Sequence, residues 1–282
     1  MNPITARDVA LLRDTWQYRY LTSHQVARLH FGSQKVAQRR LRKLTGAGLL
    51  QRFCPAEAKR AGFQTWWYCL SRPGARLISS NERLPLNAVL PPTRHPRTLG
   101  FLAHHALLTD FRVWLYEACA NMPGFTYRFI PSYEEATIDG RRERRAAISL
   151  GTDRVLFPDG ALVLTKADRH ALFFVEIDRG TEPLTGKHPN AIERKLTSYR
   201  AAYDASAEEQ FAHRVQATVQ GFRLLCIVPD ETRQARFIDL AERLDLAPLV
   251  WVTTAQHTQA PGKLDTTMWT VTPAGDRHAL TE

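Results

Sequence analysis

Phe157-Pro158-Asp159-Gly160 and Phe174-Val175-Glu176-Ile177-Asp178-Arg179 set carboxylates inside two apolar, strand-like runs. A buried charge without a partner is costly, so such acids are seldom kept for stability alone. Side chains two apart share one face of a strand. Glu176 and Asp178 are therefore expected to project together, while Val175 and Ile177 enter the core from the opposite face. Asp159 on a neighbouring strand adds a third carboxylate, and three such groups suit a hard divalent cation such as Mg²⁺. The competing structural reading pairs Asp178 with Arg179 or Arg194 and gives Asp159 and Glu182 to turns or caps.

Working outward, a helix containing His104-His105 runs to about Ala120, with Phe101, Leu108, Phe111, Leu115 and Ala118 as its apolar stripe. The paired histidines there read as structural. Strands are expected at Phe125–Ile130, at Val155–Thr165 (a strand pair or one long strand) and at Ala171–Asp178, with Arg141-Arg142-Glu143-Arg144-Arg145 as an exposed loop between the first two. Then come a helix at Asn190–Tyr203, a strand at Phe222–Val228, a helix at Thr232–Leu244 and a strand at Pro248–Thr253. This α-β-β-β-α-β-α-β order predicts a mixed sheet flanked by helices. Thr267–Thr272 reads as an added edge strand in the tail.

The first part of the chain has a different character. Residues 4–20 read as a helix with Ile4, Val9, Leu11, Leu12 and Trp16 apolar. A hydroxyl within Leu21-Thr22-Ser23 caps a short second helix through Val26 and Leu29. Phe31-Gly32-Ser33 turns the chain into a third helix from Gln34 to about Thr45. Val36, Ala37, Leu41 and Leu44 mark its inner stripe, against a polar face of Gln34, Lys35, Gln38, Arg39 and Arg42. Leu49–Phe53 and Thr65–Leu70 read as two strands around a basic loop holding Lys59 and Arg60. Helix, Gly turn, helix and wing describe a winged helix-turn-helix. Its expected DNA contacts are Gln34, Lys35, Gln38, Arg39, Arg42, Lys43, Lys59 and Arg60.

Charge supports that division. Residues 1–100 carry 17 Lys/Arg against 4 Asp/Glu, whereas 101–282 carry 21 against 24, so the excess of +10 is concentrated at one end. A basic segment beside a mildly acidic remainder suits a polyanionic partner. The expected domains are 1–83 (winged helix-turn-helix), 84–98 (a proline-rich linker) and 99–255 (α/β), with 256–282 as a C-terminal tail. The four cysteines are widely spaced and lack a C-x-x-C pair, which argues against zinc and for reduced thiols. With 44% apolar residues, but no apolar run near the roughly 20 residues of a membrane span, the expectation is a folded cytoplasmic protein.

Two resemblances rest on these residues. Pro158-Asp159 followed by Glu176-x-Asp178 in an αβββαβ order resembles the PD-(D/E)xK nuclease superfamily. Arg19-Tyr20-Leu21-Thr22, Leu41-Arg42-Lys43-Leu44, Gly48-Leu49-Leu50, Phe157-Pro158-Asp159, Glu176 through Glu182 and Lys195-Leu196-x-x-Tyr199 together resemble the replication-relaxation family of plasmid and mobile-element proteins, over roughly residues 4–255. The fold class implied is α/β (α+β), a winged helix-turn-helix followed by a restriction-endonuclease-like domain. The superfamily's usual lysine, two residues after the acid, is here Asp178. Lys195 from the next helix is the expected substitute, sharing a helical face with Tyr199. The resemblance implies metal-assisted phosphodiester hydrolysis: Asp159 and Glu176 on Mg²⁺ or Mn²⁺, Asp178 as a further ligand, Lys195 stabilising charge, and an upstream acid from Glu117 or from Glu134/Glu135.

Three functions follow from this reading. One is a metal-dependent DNA endonuclease or nickase, and another a non-catalytic DNA-binding regulator of plasmid replication or transcription. The third is a protein-interaction module. DNA is the expected partner of the first two, and a homodimer suits a helix-turn-helix that reads two half-sites.

Overall fold

The computed structural model describes residues 4–57, 65–91, 98–138, 141–151, 154–188, 191–215 and 217–281. The chain forms two compact units, Met1–Val113 and Trp114–Glu282.

In the first unit, α1 (Ala6–Tyr18) begins at a capping box in which Thr5 and Asp8 satisfy each other's exposed amides. It buries Leu11, Leu12, Thr15 and Tyr18; Ile4 lies outside it and is exposed. After β1 (Leu21–Thr22), Thr22 and Gln25 form a second capping box at the head of α2 (Ser23–His30). Gly32 turns the chain at φ +60°, a conformation that costs other residues more. Next, α3 (Gln34–Gly46) buries Ala37, Leu41 and Leu44. Val36, expected on that stripe, is exposed: it precedes Ala37 by 100° of helical rotation and falls outside the arc shared by the other three. Strands β2 (Leu50–Phe53) and β3 (Trp67–Leu70) pair with β1 in the order β1-β3-β2.

Ser71 caps α4 (Arg72–Glu82), and Gly74 lies so close to Leu49 that a Cβ there would meet its carbonyl oxygen at 2.1 Å. The proline-rich stretch 84–98 is not where the chain divides. It contains the short helix α5 (Leu86–Val89), and Val89 is fully buried in the core with Leu11, Leu12, Leu41 and Ile78. The boundary falls later, between Val113 and Trp114, inside α6 (Leu99–Ala120). Composition marked a spacer, but Leu86 and Val89 supply enough apolar surface to pack. On α6, Leu108, Phe111, Leu115 and Ala118 are buried as their spacing implies, whereas Phe101 is exposed.

The second unit is a mixed α/β structure around a seven-stranded sheet in the order β14-β13-β12-β11-β10-β9-β4. Its strands are β4 (Phe125–Pro131), β9 (Gly160–Lys166), β10 (Arg169–Ile177), β11 (Arg223–Val228), β12 (Val250–Thr254), β13 (Trp269–Thr270) and β14 (Arg277–His278). β4, β9 and β10 are antiparallel, while β10, β11 and β12 are parallel. Leu172–Ile177 is buried at every position, the pattern of a strand covered on both faces.

The crossover from β10 to β11 carries α7 (Ile192–Asp204) and α8 (Glu208–Val215), and α9 (Glu231–Arg243) joins β11 to β12. Phe174 centres the core, its ring 4.8 Å from Phe222 and 4.9 Å from Phe211, both edge-on. The charged stretch at 141–145, expected as a loop, includes a strand instead: β5 (Glu135–Ile138) pairs with β6 (Arg141–Arg144) in a two-stranded ribbon. The short strands β7 (Ile148–Ser149) and β8 (Val155–Leu156) form a second pair. Beyond β12, α10 (Ala255–Gln259) leads to β13 and β14, and Trp269 is completely buried. Among the described residues, no helix is long and apolar enough to cross a membrane.

Candidate functional site

Glu176 stands one residue before the end of β10, opposite Cys226 of β11, and is 5% exposed. A carboxylate so placed needs strong partners, and α7 supplies two. Ile192, Leu196, Tyr199 and Ala202 form the buried stripe that seats this helix. The same seating sets Lys195 Nζ 2.5 Å from Glu176 Oε2 and lets the Tyr199 hydroxyl donate to Oε1 at 2.6 Å. The first turn of α7 is tied down in turn, because the Ile192 and Glu193 amides donate to the Pro183 and Leu184 carbonyls.

Asp159 immediately precedes β9 rather than standing within it. Its amide donates to Val175 O at 3.0 Å, and its Oδ2 accepts the Ile177 amide at 2.9 Å. The carboxylate therefore continues the β9–β10 ladder and flanks Glu176. Burial, then the charge of Asp159, push the Glu176 carboxyl up to about 7 against the pull of Lys195. Lys195, partly exposed, is raised against its desolvation because Glu176 and Asp159 both favour its charged form. Burial and Glu176 raise the Tyr199 phenol, and the same two causes raise the Cys226 thiol. The centre thus pairs a lysine whose charged form is favoured with a phenol held neutral and a carboxyl pushed toward its protonated form.

Asp178 was expected to converge with Glu176 and Asp159 on a metal, and its partners are different. The strand ends at Ile177, and Gly180 turns the chain at φ +72°. Asp178 Oδ1 accepts the Gly180 amide at 2.8 Å, and Oδ2 takes Arg233 Nε at 2.5 Å. The other end of the Arg233 guanidinium donates to Glu182 O at 2.7 Å. Arg233, rather than Arg179 or Arg194, is the ion-pair partner. Among the described residues, no group of three or more His, Cys, Asp or Glu side chains is arranged to hold a metal ion. Glu176, Asp178, Glu182, Lys195, Tyr199 and Cys226 nevertheless line one pocket.

The proposed upstream acids lie in other contacts. Glu117 Oε2 accepts the Gly262 amide at 3.0 Å, and Glu134 Oε1 takes Arg145 at 2.7 Å. Glu135 is exposed on β5.

In the first unit, Gln34, Lys35, Gln38, Arg39, Arg42 and Lys43 are all exposed on α3. Gln34 donates to Ser23 Oγ at 3.2 Å, linking α3 to α2. Arg40 turns inward to the buried carboxylate of Asp8. Lys59 and Arg60 lie outside the described residues. His105 is a core residue whose Nε2 is 2.8 Å from Tyr18 O; burial and then Arg112 push it down to about 4.

The residues missed in the sequence are Arg233 and the bonding role of Tyr199. Spacing had put Tyr199 on the face of Lys195, but Arg233 sits on an ordinary amphipathic helix with no local signal. No curated protein and no solved structure is significantly similar to the chain. The replication-relaxation family model matches residues 12–219, a span that includes α3, Asp159, Glu176, Lys195 and Tyr199 but not Arg233. On that match, covering most of its length, the chain belongs to the replication-relaxation family.

Proposed function

We propose that this chain is a DNA-binding protein of plasmid or mobile-element replication. Its first unit is a winged helix-turn-helix, and its second carries a PD-(D/E)xK-like phosphodiesterase site. The observation that carries the second half is the delivery of Lys195 from α7 to Glu176, beside Asp159. The acid, acid and lysine chemistry of such a site is present although the usual lysine position holds Asp178. The order α1-β1-α2-α3-β2-β3 and the exposed Gln/Lys/Arg face of α3 support DNA contact, the glutamines and arginines being suited to base edges and the lysines to phosphate.

Mg²⁺ or Mn²⁺ fits two of the three acids. A carboxylate offers about four acceptor sites, so one that already accepts hydrogen bonds can still ligate a cation, and burial, then the charge of Asp159, have raised Glu176. Mg²⁺ typically takes only one or two carboxylates and keeps water or substrate phosphate in its remaining positions. Asp178 is left out of this pair because Arg233 draws it toward α9, whereas Lys195 and Tyr199 draw Glu176 toward α7. When bound, the cation would polarise the scissile phosphate and lower the pKa of a water. Lys195 keeps a positive charge beside those acids, where charge develops on phosphate, and Tyr199 fixes the direction of Glu176.

The test is cleavage of supercoiled and linear DNA in Mg²⁺ or Mn²⁺. Activity abolished in Asp159→Ala and Glu176→Ala, with DNA binding retained, is expected; undiminished cleavage by both variants would sink the site. A second reading, a non-catalytic regulator, is favoured by the closed hydrogen bonding of Glu176, whose two oxygens already have Lys195 and Tyr199. It predicts salt-sensitive DNA binding and no cleavage with any metal.

A further inference from the structure

Phe157 is 48% exposed, although its neighbours Leu156 and Pro158 are buried. The chain thus turns this ring outward two residues before Asp159. A lone exposed phenyl is ordinary, but this one has company. The Arg144 guanidinium lies over it, 5.2 Å from the ring centroid, and Val155, 50% exposed, is close by in sequence. Arg144 comes from the far strand of the β5–β6 ribbon and is itself exposed. Glu135 stands directly opposite it in the register and so shares its face.

We propose that Phe157 and Arg144 form a stacking platform for an unpaired base, so that the substrate beside Asp159 is single-stranded DNA. The proposal names the substrate class of the site described above and rests on that reading for its choice of DNA. Every base has a π face, and stacking on an aromatic ring or guanidinium plane is sequence-tolerant. In a duplex those faces are hidden between neighbouring pairs, so the platform selects strands that are single or locally opened.

The test uses the full chain in EDTA, with a short oligodeoxythymidine carrying one 2-aminopurine; the same strand with an abasic site and a matching duplex are the comparators. Binding is read by anisotropy and stacking by quenching of the 2-aminopurine. The wild type is expected to quench. Phe157→Ala should weaken single-strand binding roughly tenfold and abolish the quench, with duplex affinity unchanged. Phe157→Trp should restore both signals. Arg144→Lys keeps the charge but not the plane, and should lose part of the quench. Wild-type behaviour of Phe157→Ala, or equal losses on abasic and duplex DNA, would overturn the platform. No metal or turnover enters the measurement. An inactive protein that quenches refutes only hydrolysis, and an active one indifferent to Phe157 refutes only the platform.

Discussion

Lys195 and Tyr199, one turn apart on α7, divide the carboxylate of Glu176 between them, the ammonium on Oε2 and the phenol on Oε1. The two bonds differ in kind. Lysine compensates charge, whereas tyrosine satisfies a lone pair and sets direction. Lys195→Ala should therefore cost about 1–3 kcal/mol in urea unfolding, below the usual cost of breaking a fully buried pair because the lysine is partly exposed. Tyr199→Phe keeps the packing and should cost about 1–2 kcal/mol. If hydrolysis occurs, Lys195→Ala should abolish it, while Tyr199→Phe should slow it in proportion to the loss of Glu176 orientation.

The pH dependence has a definite sign. Glu176 is raised from 4.5 to about 7 in the folded chain, so the folded state binds the extra proton between those values. The stability contributed by that group is complete below about 4.5 and is lost as pH rises through about 7. Glu176→Gln should flatten this part of the melting-temperature profile, measured from pH 4 to 8. Metal binding needs the deprotonated carboxylate, so cleavage should rise with pH over the same range. A pH-independent rate there would argue against Glu176 as a ligand.

Much of this centre was legible because carboxylates interrupt apolar strand runs. Asp159, Glu176 and Lys195 do come together, and the mixed sheet with its helices follows from the alternation of strand and helix patterns. Glu176 and Asp178 line one pocket as their two-residue spacing implies, and the Asp178 amide still donates to Ile227 O; what was not legible is the capture of Asp178 Oδ1 by the Gly180 amide, because strand alternation says nothing of where the chain turns. Arg233 was invisible for a different reason: it meets Asp178 only through the packing of α9, and nothing near it in sequence sets it apart from a solvated helix face. The strand expected at Thr267–Thr272 contains β13, but it lies one place in from the edge, because β14, whose two residues carry no period, pairs beyond it. Val36 shows the converse error, an apolar residue that helical geometry leaves outside the buried arc, whereas Phe101 keeps the spacing of Leu108 and is exposed in the first turn of α6.

The Arg233 contact separates a structural acid from a ligand. Asp178→Asn keeps a carbonyl oxygen for the Gly180 amide and loses the ion pair, so it should reduce stability while leaving Mg²⁺-dependent cleavage measurable. Arg233→Ala leaves Asp178 buried and unpaired, and should cost about 3 kcal/mol or more. It also releases Glu182 O, which loosens the segment leading to α7. Isothermal titration with Mn²⁺ distinguishes the roles: affinity unchanged in Asp178→Asn and lost in Glu176→Gln is the expected pair of results.

Arg39 and Arg40 are adjacent in sequence, yet the helix assigns them opposite work. Arg39 is exposed on the same face of α3 as Arg42, whereas Arg40 reaches the carboxylate of Asp8, a residue 1% exposed. Burial raises the Asp8 carboxyl, but hydrogen bonds from Arg40 and Thr5 outweigh it and hold the group below its ordinary value. Arg40→Ala should thus cost about 3 kcal/mol by stranding that charge, with little effect on the salt dependence of DNA binding. Arg39→Ala with Arg42→Ala should do the reverse. Stability should hold within about 0.5 kcal/mol, while the slope of log K against log salt should become shallower by roughly 2, about one for each phosphate contact removed. If one of the two arginines reads a base edge instead, the slope should change by only about 1 and sequence selectivity should fall with it. Loss of the slope in Arg40→Ala, or a double variant whose salt slope, affinity and sequence selectivity are all unchanged, would show that α3 is not the DNA-facing helix.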